Sequence, residues 1–416
     1  MGVGMESIER HISALVAGDL RDIEAVFING PRQAGKSTFA EAFGRGYRHT
    51  FYANYDDINL RAAEIAAPGQ TFADIEEGLV VLDEIQYVPE TFLALKVKID
   101  QCRRKKQRLK FLLTGSADIM LLPRLSEALV GRMYVRTLYP FSAAEILGER
   151  GGFLAGLFAG PPDPARHFSR TAVSRIIPRA TFPQLALEVE DKAPWCRNYL
   201  STLLERDVRR LSDIDRIEIM PRMLSLLANR VGGLLNDADL ALAVKASQPT
   251  VKRYRILLNG VFLTFLLPPW FKNLEKRLVK SPKVYFTDTA LLCHILGFLP
   301  EEIEAKRPDL YGFILENFVA SELSKQLALM NDGKLYHFRT GDQKEIDFVI
   351  EKRDGSLLAL EVKASTAVSP EDFKHIRFLS QTLPQDFIRG IVLYQGDRVI
   401  RFDRNLFAVP LSALWE

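Results

Sequence analysis

Apolar and polar positions divide the chain into stretches of different period. Residues 25–28 (AVFI), 78–84 (GLVVLDE) and 110–116 (KFLLTGS) contain runs that are apolar on both faces, as expected for strands inside a parallel sheet. Helical spacing covers residues 8–16, a helix carrying Phe39, Ala40 and Phe43 stops near Gly44 and Gly46, and residues 50–53 form another strand. Glycines and prolines between 148 and 164 break the pattern and mark a boundary. Three helices are predicted at 219–231, 239–245 and 250–259, with strands at 261–267 and 284–286. A last block opens with a helix from Tyr311, on which Glu316, Val319, Ala320, Leu323 and Leu327 share one face. Strands at 335–339, 341–350 and 357–363 complete it, the last two joined by the turn Asp354-Gly355. The predicted class is α/β, with segments 1–147, 148–216 (a helical linker or lid), 217–298 and 299–416.

Composition agrees with a multi-domain globular chain: 416 residues, 47% hydrophobic and 26% charged. Three distant cysteines, Cys102, Cys196 and Cys293, lack metal-ligand spacing and read as reduced thiols of a cytoplasmic protein. Glu6, Glu9, Arg10 and Asp19 lie where a signal peptide needs an apolar core, and no 18-residue apolar run occurs, so no membrane segment is expected. The net charge of +3 says little about partners, whereas its distribution says more.

The first apolar run enters Gly30-Pro31-Arg32-Gln33-Ala34-Gly35-Lys36-Ser37, followed by Thr38, which fits the phosphate-wrapping pattern G-x-x-x-x-G-K-[ST]. Glycines let backbone N–H groups approach the phosphates, Lys36 reaches the β- and γ-phosphates, and Ser37 offers a hydroxyl to Mg²⁺. Asp83 and Glu84 end a buried strand, where the first would hold the Mg²⁺ shell and the second polarise the attacking water. Thr114 and Ser116 end the next strand and are candidates to touch the γ-phosphate or the water; Ser116 reads equally well as a helix cap. The basic run from Arg103 to Lys110 reads as a solvated helix end or as a phosphate-backbone contact.

On GPRQAGKS, VVLDEIQ, FLLTGSAD, LSEALVGR and LYPFSAAEI, residues 8 to about 145 resemble a P-loop AAA-type ATPase of the prokaryotic group that carries an uncharacterised C-terminal domain. The resemblance implies ATP and Mg²⁺ as cofactors, ATP hydrolysis and self-association. Arg132 falls where this group repeats a Gly-Arg pair, which implies a γ-phosphate sensor in cis or in trans; a surface salt bridge is the other reading. Residues 195–211, with Tyr199, Leu200, Glu205, Arg206 and Asp207, resemble the group's next helix, which implies a helix over that stretch.

The helices and strands of 217–288 suit a winged helix-turn-helix. From Lys245 to Lys283 there are nine Lys or Arg against one acid, Glu275. Lys252, Arg253 and Arg255 on the third helix, with Lys276, Arg277 and Lys280 on the wing, are the candidate contacts to a DNA backbone. A module that holds domains or subunits together is the alternative.

Glu316, Asp347, Glu361 and Lys363 form an E…D…E-x-K set across one helix and two strands, the chemistry of a Mg²⁺-dependent phosphodiesterase. Residues 311–395 resemble the PD-(D/E)xK nuclease core, with spacing similar to archaeal Holliday-junction resolvases, which implies a restriction-endonuclease-like mixed sheet. In the alternative, Lys363 only pairs with Glu361 and Asp347. Three functions follow: an ATPase acting on duplex or branched DNA, a nucleotide-operated protein switch, and an ATP-regulated nuclease.

Overall fold

The computed structural model describes residues 8–116, 129, 131–170, 172–209, 217–273, 277 and 280–416. The chain forms two compact units, Glu9–Pro140 with Gly260–Phe262, and Phe141–Asn259 with Leu263–Glu416.

The first unit is built on five parallel strands: β1 (Ala25–Asn29), β2 (Thr50–Asn54), β3 (Gly78–Asp83), β4 (Leu109–Thr114) and β5 (Met133–Thr137), in the order β2-β3-β4-β1-β5. All of β1 is buried, and β3 and β4 are buried along nearly their whole lengths, as runs apolar on both faces require. Four helices, α1 (Ile12–Asp22), α2 (Lys36–Gly44), α3 (Ile58–Ala66) and α4 (Thr91–Lys105), accompany the sheet. Helix α1 starts and ends later than its apolar spacing predicts. Its inner face includes Asp19, whose carboxylate pairs with both nitrogens of the Arg136 fork at 2.5 and 2.6 Å, so a charged position extends the buried stripe. The basic residues Arg103, Arg104 and Lys105 form the last turn of α4, where they face the negative end of the helix dipole.

In the second unit, the helices Met220–Ala228, Asp237–Val244 and Gln248–Gly260 precede an antiparallel hairpin of β6 (Thr264–Leu267) and β7 (Lys283–Phe286). Asn236 caps the second of these helices by accepting from the N–H groups of Ala238 and Asp239. The long helix Pro308–Met330 then leads into β8 (Lys334–Arg339), β9 (Glu345–Glu351), β10 (Leu357–Val362), the helix Lys374–Thr382 and β11 (Phe387–Tyr394). With β12 (Ile400–Asp403) and β13 (Leu406–Pro410) they make a mixed sheet of order β12-β13-β11-β10-β9-β8. Pairings β8–β9, β9–β10 and β12–β13 are antiparallel, while β10–β11 and β11–β13 are parallel.

The chain after β6 closes the free edge of this sheet. Trp270 N–H donates to the His337 carbonyl at 2.6 Å, and His337 N–H donates to the Pro268 carbonyl at 3.0 Å. Arg277 clasps Glu351 with two nitrogens at 2.5 and 3.0 Å and lies over the Trp270 and Tyr336 rings. An edge strand presents unpaired N–H and C=O groups, and the segment at 268–270 covers part of that ladder.

Beyond Gly148, the helix Lys192–Thr202 is shorter than the predicted one and passes into a wider-wound turn, Leu203–Val208, which carries Glu205, Arg206 and Asp207. All three cysteines are free and buried, and burial pushes the Cys196 thiol up to about 12, so it stays protonated. Among the described residues no helix is long and apolar enough to cross a membrane.

Candidate active site

Strand β1 delivers the chain into the 30–37 loop, and helix α2 leaves it. Gly30 has φ +144°, and a Cβ there would lie 2.2 Å from the Leu138 carbonyl oxygen, so no side chain fits. Gly35 has φ +90° and sets the N-terminus of α2, where unpaired N–H groups favour an anion. The Lys36 side chain folds back over the loop and donates to the carbonyls of Gly30 at 3.1 Å and Pro31 at 2.8 Å. Arg10 braces the loop from behind, donating to the Ala34 carbonyl at 3.0 Å and to that of Tyr139.

Asp83 is fully buried at the end of β3. Its two carboxylate oxygens accept from different neutral hydroxyls: Tyr52 donates to Oδ2 at 2.6 Å, and Thr114 donates to Oδ1. The Ser37 side chain also acts on the Tyr52 phenol, so the loop serine and the strand acid have this ring as a common neighbour. Burial and the bond to Asp83 both hold the Tyr52 phenol well above its ordinary pKa, which keeps it protonated and donating.

Glu84 has φ +56°, an uncommon backbone state for a non-glycine residue, and occupies the sharp exit from β3. Its N–H donates to Thr114 Oγ1 at 3.0 Å. Its carboxylate accepts from Gln86 Nε2, and from Ser116 Oγ at 3.3 Å. Thr114 thus binds Asp83 and the backbone of Glu84, and Ser116 binds the Glu84 side chain. Arg132 makes a two-nitrogen bridge to Asp100 at 2.8 and 3.1 Å, which is the salt-bridge reading of that residue.

The arrangement fits ATP with Mg²⁺: a hydroxyl at 37 and a buried carboxylate at 83 are hard oxygen donors, and no cation of the protein is paired with Asp83 among the described contacts. Tyr52, Gln86 and Arg10 are members of this site that sequence reasoning missed. Only Tyr52 carried a signal, as a phenol on the predicted strand 50–53 whose hydroxyl needs a partner where it is withdrawn from water.

The C-terminal acids meet differently. Glu316, Asp347 and Glu361 do converge, joined by Glu345, but Lys283 from β7 stands among them. Its ammonium lies 3.0 Å from Glu316, 2.7 Å from Glu345 and 4.0 Å from Asp347, with 3% of the side chain exposed. Lys363 pairs with Glu361 at 3.4 Å and Asp372 at 3.8 Å, and not with Asp347 as the salt-bridge alternative supposed. Among the described residues no group of three or more His, Cys, Asp or Glu is arranged to hold a metal ion. The expected Mg²⁺ set of Glu316, Asp347 and Glu361 therefore does not fit a metal in this arrangement, because a lysine already compensates it.

The named DNA contacts divide in three. Lys252, Arg253 and Lys280 are exposed. Arg255 is buried and bonded to Asp237 through two nitrogens at 3.1 Å each, and Arg277 is engaged by Glu351; both are corrected from backbone contacts to internal ion pairs. Lys276 lies outside the described residues.

Three family models match separate stretches of the chain. Residues 22–147 match an AAA domain, residues 170–302 a domain of unknown function (DUF8612), and residues 311–414 another (DUF4143). Two mycobacterial relatives, Uncharacterized protein Rv2008c of Mycobacterium tuberculosis and Uncharacterized protein Mb2031c of Mycobacterium bovis, are each 30% identical over 412 residues, covering 97% of this chain and 84% of theirs. Among solved structures, the Walker-type ATPase PABY2304 of Pyrococcus abyssi is similar at 14% identity and TM-score 0.41, covering 70% of this chain and 96% of that one. RuvB of Thermotoga maritima is similar at 17% identity and TM-score 0.31, covering 64% and 90%. On the length and identity of the mycobacterial matches, the chain belongs to the family of Rv2008c and Mb2031c, and its first unit is an AAA-type P-loop ATPase.

Proposed function

We propose that the chain is a Mg²⁺-dependent ATP hydrolase that works as a nucleotide-operated switch. The observation that carries this reading is Asp83, a buried carboxylate at the end of β3 whose two oxygens accept from the neutral hydroxyls of Tyr52 and Thr114 and are paired with no cation among the described contacts. Ser37 and Asp83 would hold Mg²⁺, which supplies charge neutralisation at the β- and γ-phosphates. Backbone N–H groups of 30–37 wrap the phosphates, and Lys36 leaves the Gly30 and Pro31 carbonyls for the phosphate oxygens. Glu84 accepts a proton from the attacking water once its carboxylate turns from Gln86 and Ser116. Thr114 fixes Asp83 and Glu84 in one frame.

The test is MgATP turnover and nucleotide affinity in three proteins. Lys36→Ala is expected to lose ATP affinity, and Glu84→Gln to bind ATP and stall. Full turnover by either variant refutes the assignment.

A second reading, action on DNA, is supported by the exposed Lys252 and Arg253 on the helix Gln248–Gly260, which follows two shorter helices and precedes a hairpin in the order of a winged helix. ATPase rate with single-stranded, duplex and four-way DNA separates the readings: stimulation that fades steeply with salt supports DNA, and a flat response leaves the protein switch. Self-association belongs to the same proposal, and sedimentation with and without ATP measures it. The nuclease reading is not carried forward, since Lys283 stands within its acid set.

A further inference from the structure

Four carboxylates, those of Glu316, Glu345, Asp347 and Glu361, gather where the long helix Pro308–Met330 meets β9 and β10. Burying several like charges together is costly unless something of opposite sign joins them. The joining group does not come from the sheet that carries the acids. It is Lys283, at the start of β7, brought in by a hairpin separated from β9 by about sixty residues of chain.

Four features make this lysine and its strand a built part of the cluster. Its ammonium is within hydrogen-bonding distance of Glu316 and Glu345, at 3.0 and 2.7 Å, and 4.0 Å from Asp347. Tyr285, two residues along the same strand face, donates its hydroxyl to Glu316 at 2.5 Å. The backbone at Gly232 also closes over Glu316: its N–H donates to the Val284 carbonyl at 2.9 Å, and a Cβ at 232 would meet the Glu316 carboxylate at 3.1 Å. Asn317, buried on the helix, accepts from the Phe286 N–H at 2.8 Å and holds the end of β7 in place.

A Mg²⁺-class ion needs carboxylate oxygens about 2 Å away around one point, and the ammonium of Lys283 takes the space and the charge of such an ion. A lysine and a divalent cation cannot share three carboxylates at these separations without strong repulsion. We propose that Lys283 is an internal counter-cation that plugs this acid cluster. It excludes divalent metal from the acid cluster on the C-terminal sheet. The hairpin thereby takes a second role besides covering the sheet edge. Metal can enter only when β7 lifts away or Lys283 is replaced.

Mn²⁺ binding to the full chain without nucleotide, read by electron paramagnetic resonance, tests the plug. Wild type is expected to show no Mn²⁺ site that depends on Asp347. Lys283→Met, which keeps the side-chain length and removes the charge, is expected to gain one, at least about tenfold tighter than any wild-type binding and abolished by adding Asp347→Asn. Should Lys283→Met fold poorly, Lys283→Met/Glu345→Gln removes one charge of each sign and carries the same measurement. An Asp347-dependent Mn²⁺ site in wild type overturns the proposal. So does the absence of a new site in the folded variants.

Discussion

Asp83 and Asp347 lie on strands of two different sheets, both largely withdrawn from water, and their surroundings are opposite in kind. At Asp83 the partners are the neutral hydroxyls of Tyr52 and Thr114. At Asp347 the surroundings are an ammonium and further carboxylates, with the Val362 N–H donating at 2.8 Å. Burial raises the Asp347 pKa, and the Glu316 and Glu361 charges raise it further, while Lys283 opposes both. Neutral donors orient a carboxylate and leave its charge available to a ligand. A buried ammonium uses that charge inside the protein. The first arrangement is a binding site before its ligand arrives, and the second is already complete.

Removing Lys283 breaks the contrast at its stronger side. Lys283→Met leaves several carboxylates facing one another, and loss of one partner from a buried ion pair costs about 3–5 kcal/mol. Thermal or urea unfolding measures this, and Glu345→Gln on the same background is expected to restore part of the loss. A destabilisation below about 1 kcal/mol would mean that the cluster is solvated and that Lys283 does not complete it.

Asp83→Asn attacks the other side. The amide keeps the shape and loses the charge, so MgATP turnover is expected to fall by about 10²–10³-fold with little loss of stability. Turnover near that of wild type would sink the view that Asp83 holds its charge for a cation.

Much of the first unit could be read from the sequence because its signals are local. The loop at 30–37, the doubly apolar runs that became β1, β3 and β4, and the acids at 83–84 are each contiguous, so spacing alone locates them. What spacing does not reveal is partnership across the fold. Tyr52 meets Asp83 from another strand, and Arg277 and Arg255 sit in a basic tract that reads as exposed charge until Glu351 and Asp237 appear beside them. Lys283 shows the limit most clearly. It is one of the nine Lys or Arg between 245 and 283, although its alternation with Tyr285 on a short apolar strand marks a charge that must be compensated inside.

His337 reports on the same cluster through pH. Burial, and then the nearby Lys283 charge, lower its pKa from 6.5 to about 4, so the native ring stays neutral where the unfolded one takes a proton. Its contribution is complete above pH 6.5 and is lost as pH falls from there towards 4, by at most about 3 kcal/mol. Asp347 and Glu361, whose pKa values are raised, work in the opposite direction, so the quantity to compare is wild type minus His337→Phe across that window. A difference that does not change with pH would mean that the native fold does not hold this ring neutral.

The smallest expected effect is also the most discriminating for the site at Asp83. Tyr52→Phe keeps the ring and deletes the hydroxyl that donates to Asp83. A hydrogen bond to a charged group contributes about 1.5 kcal/mol, so hydrolysis is expected to slow about tenfold while ATP affinity stays within about twofold. Asp83 retains Thr114 in this variant, which is why the loss should be shallower than in Asp83→Asn. A loss equal to that of Asp83→Asn would show that the phenol does more than orient the acid. If the rate is unchanged, Thr114 alone sets the carboxylate, and the Tyr52 hydroxyl plays no part in hydrolysis.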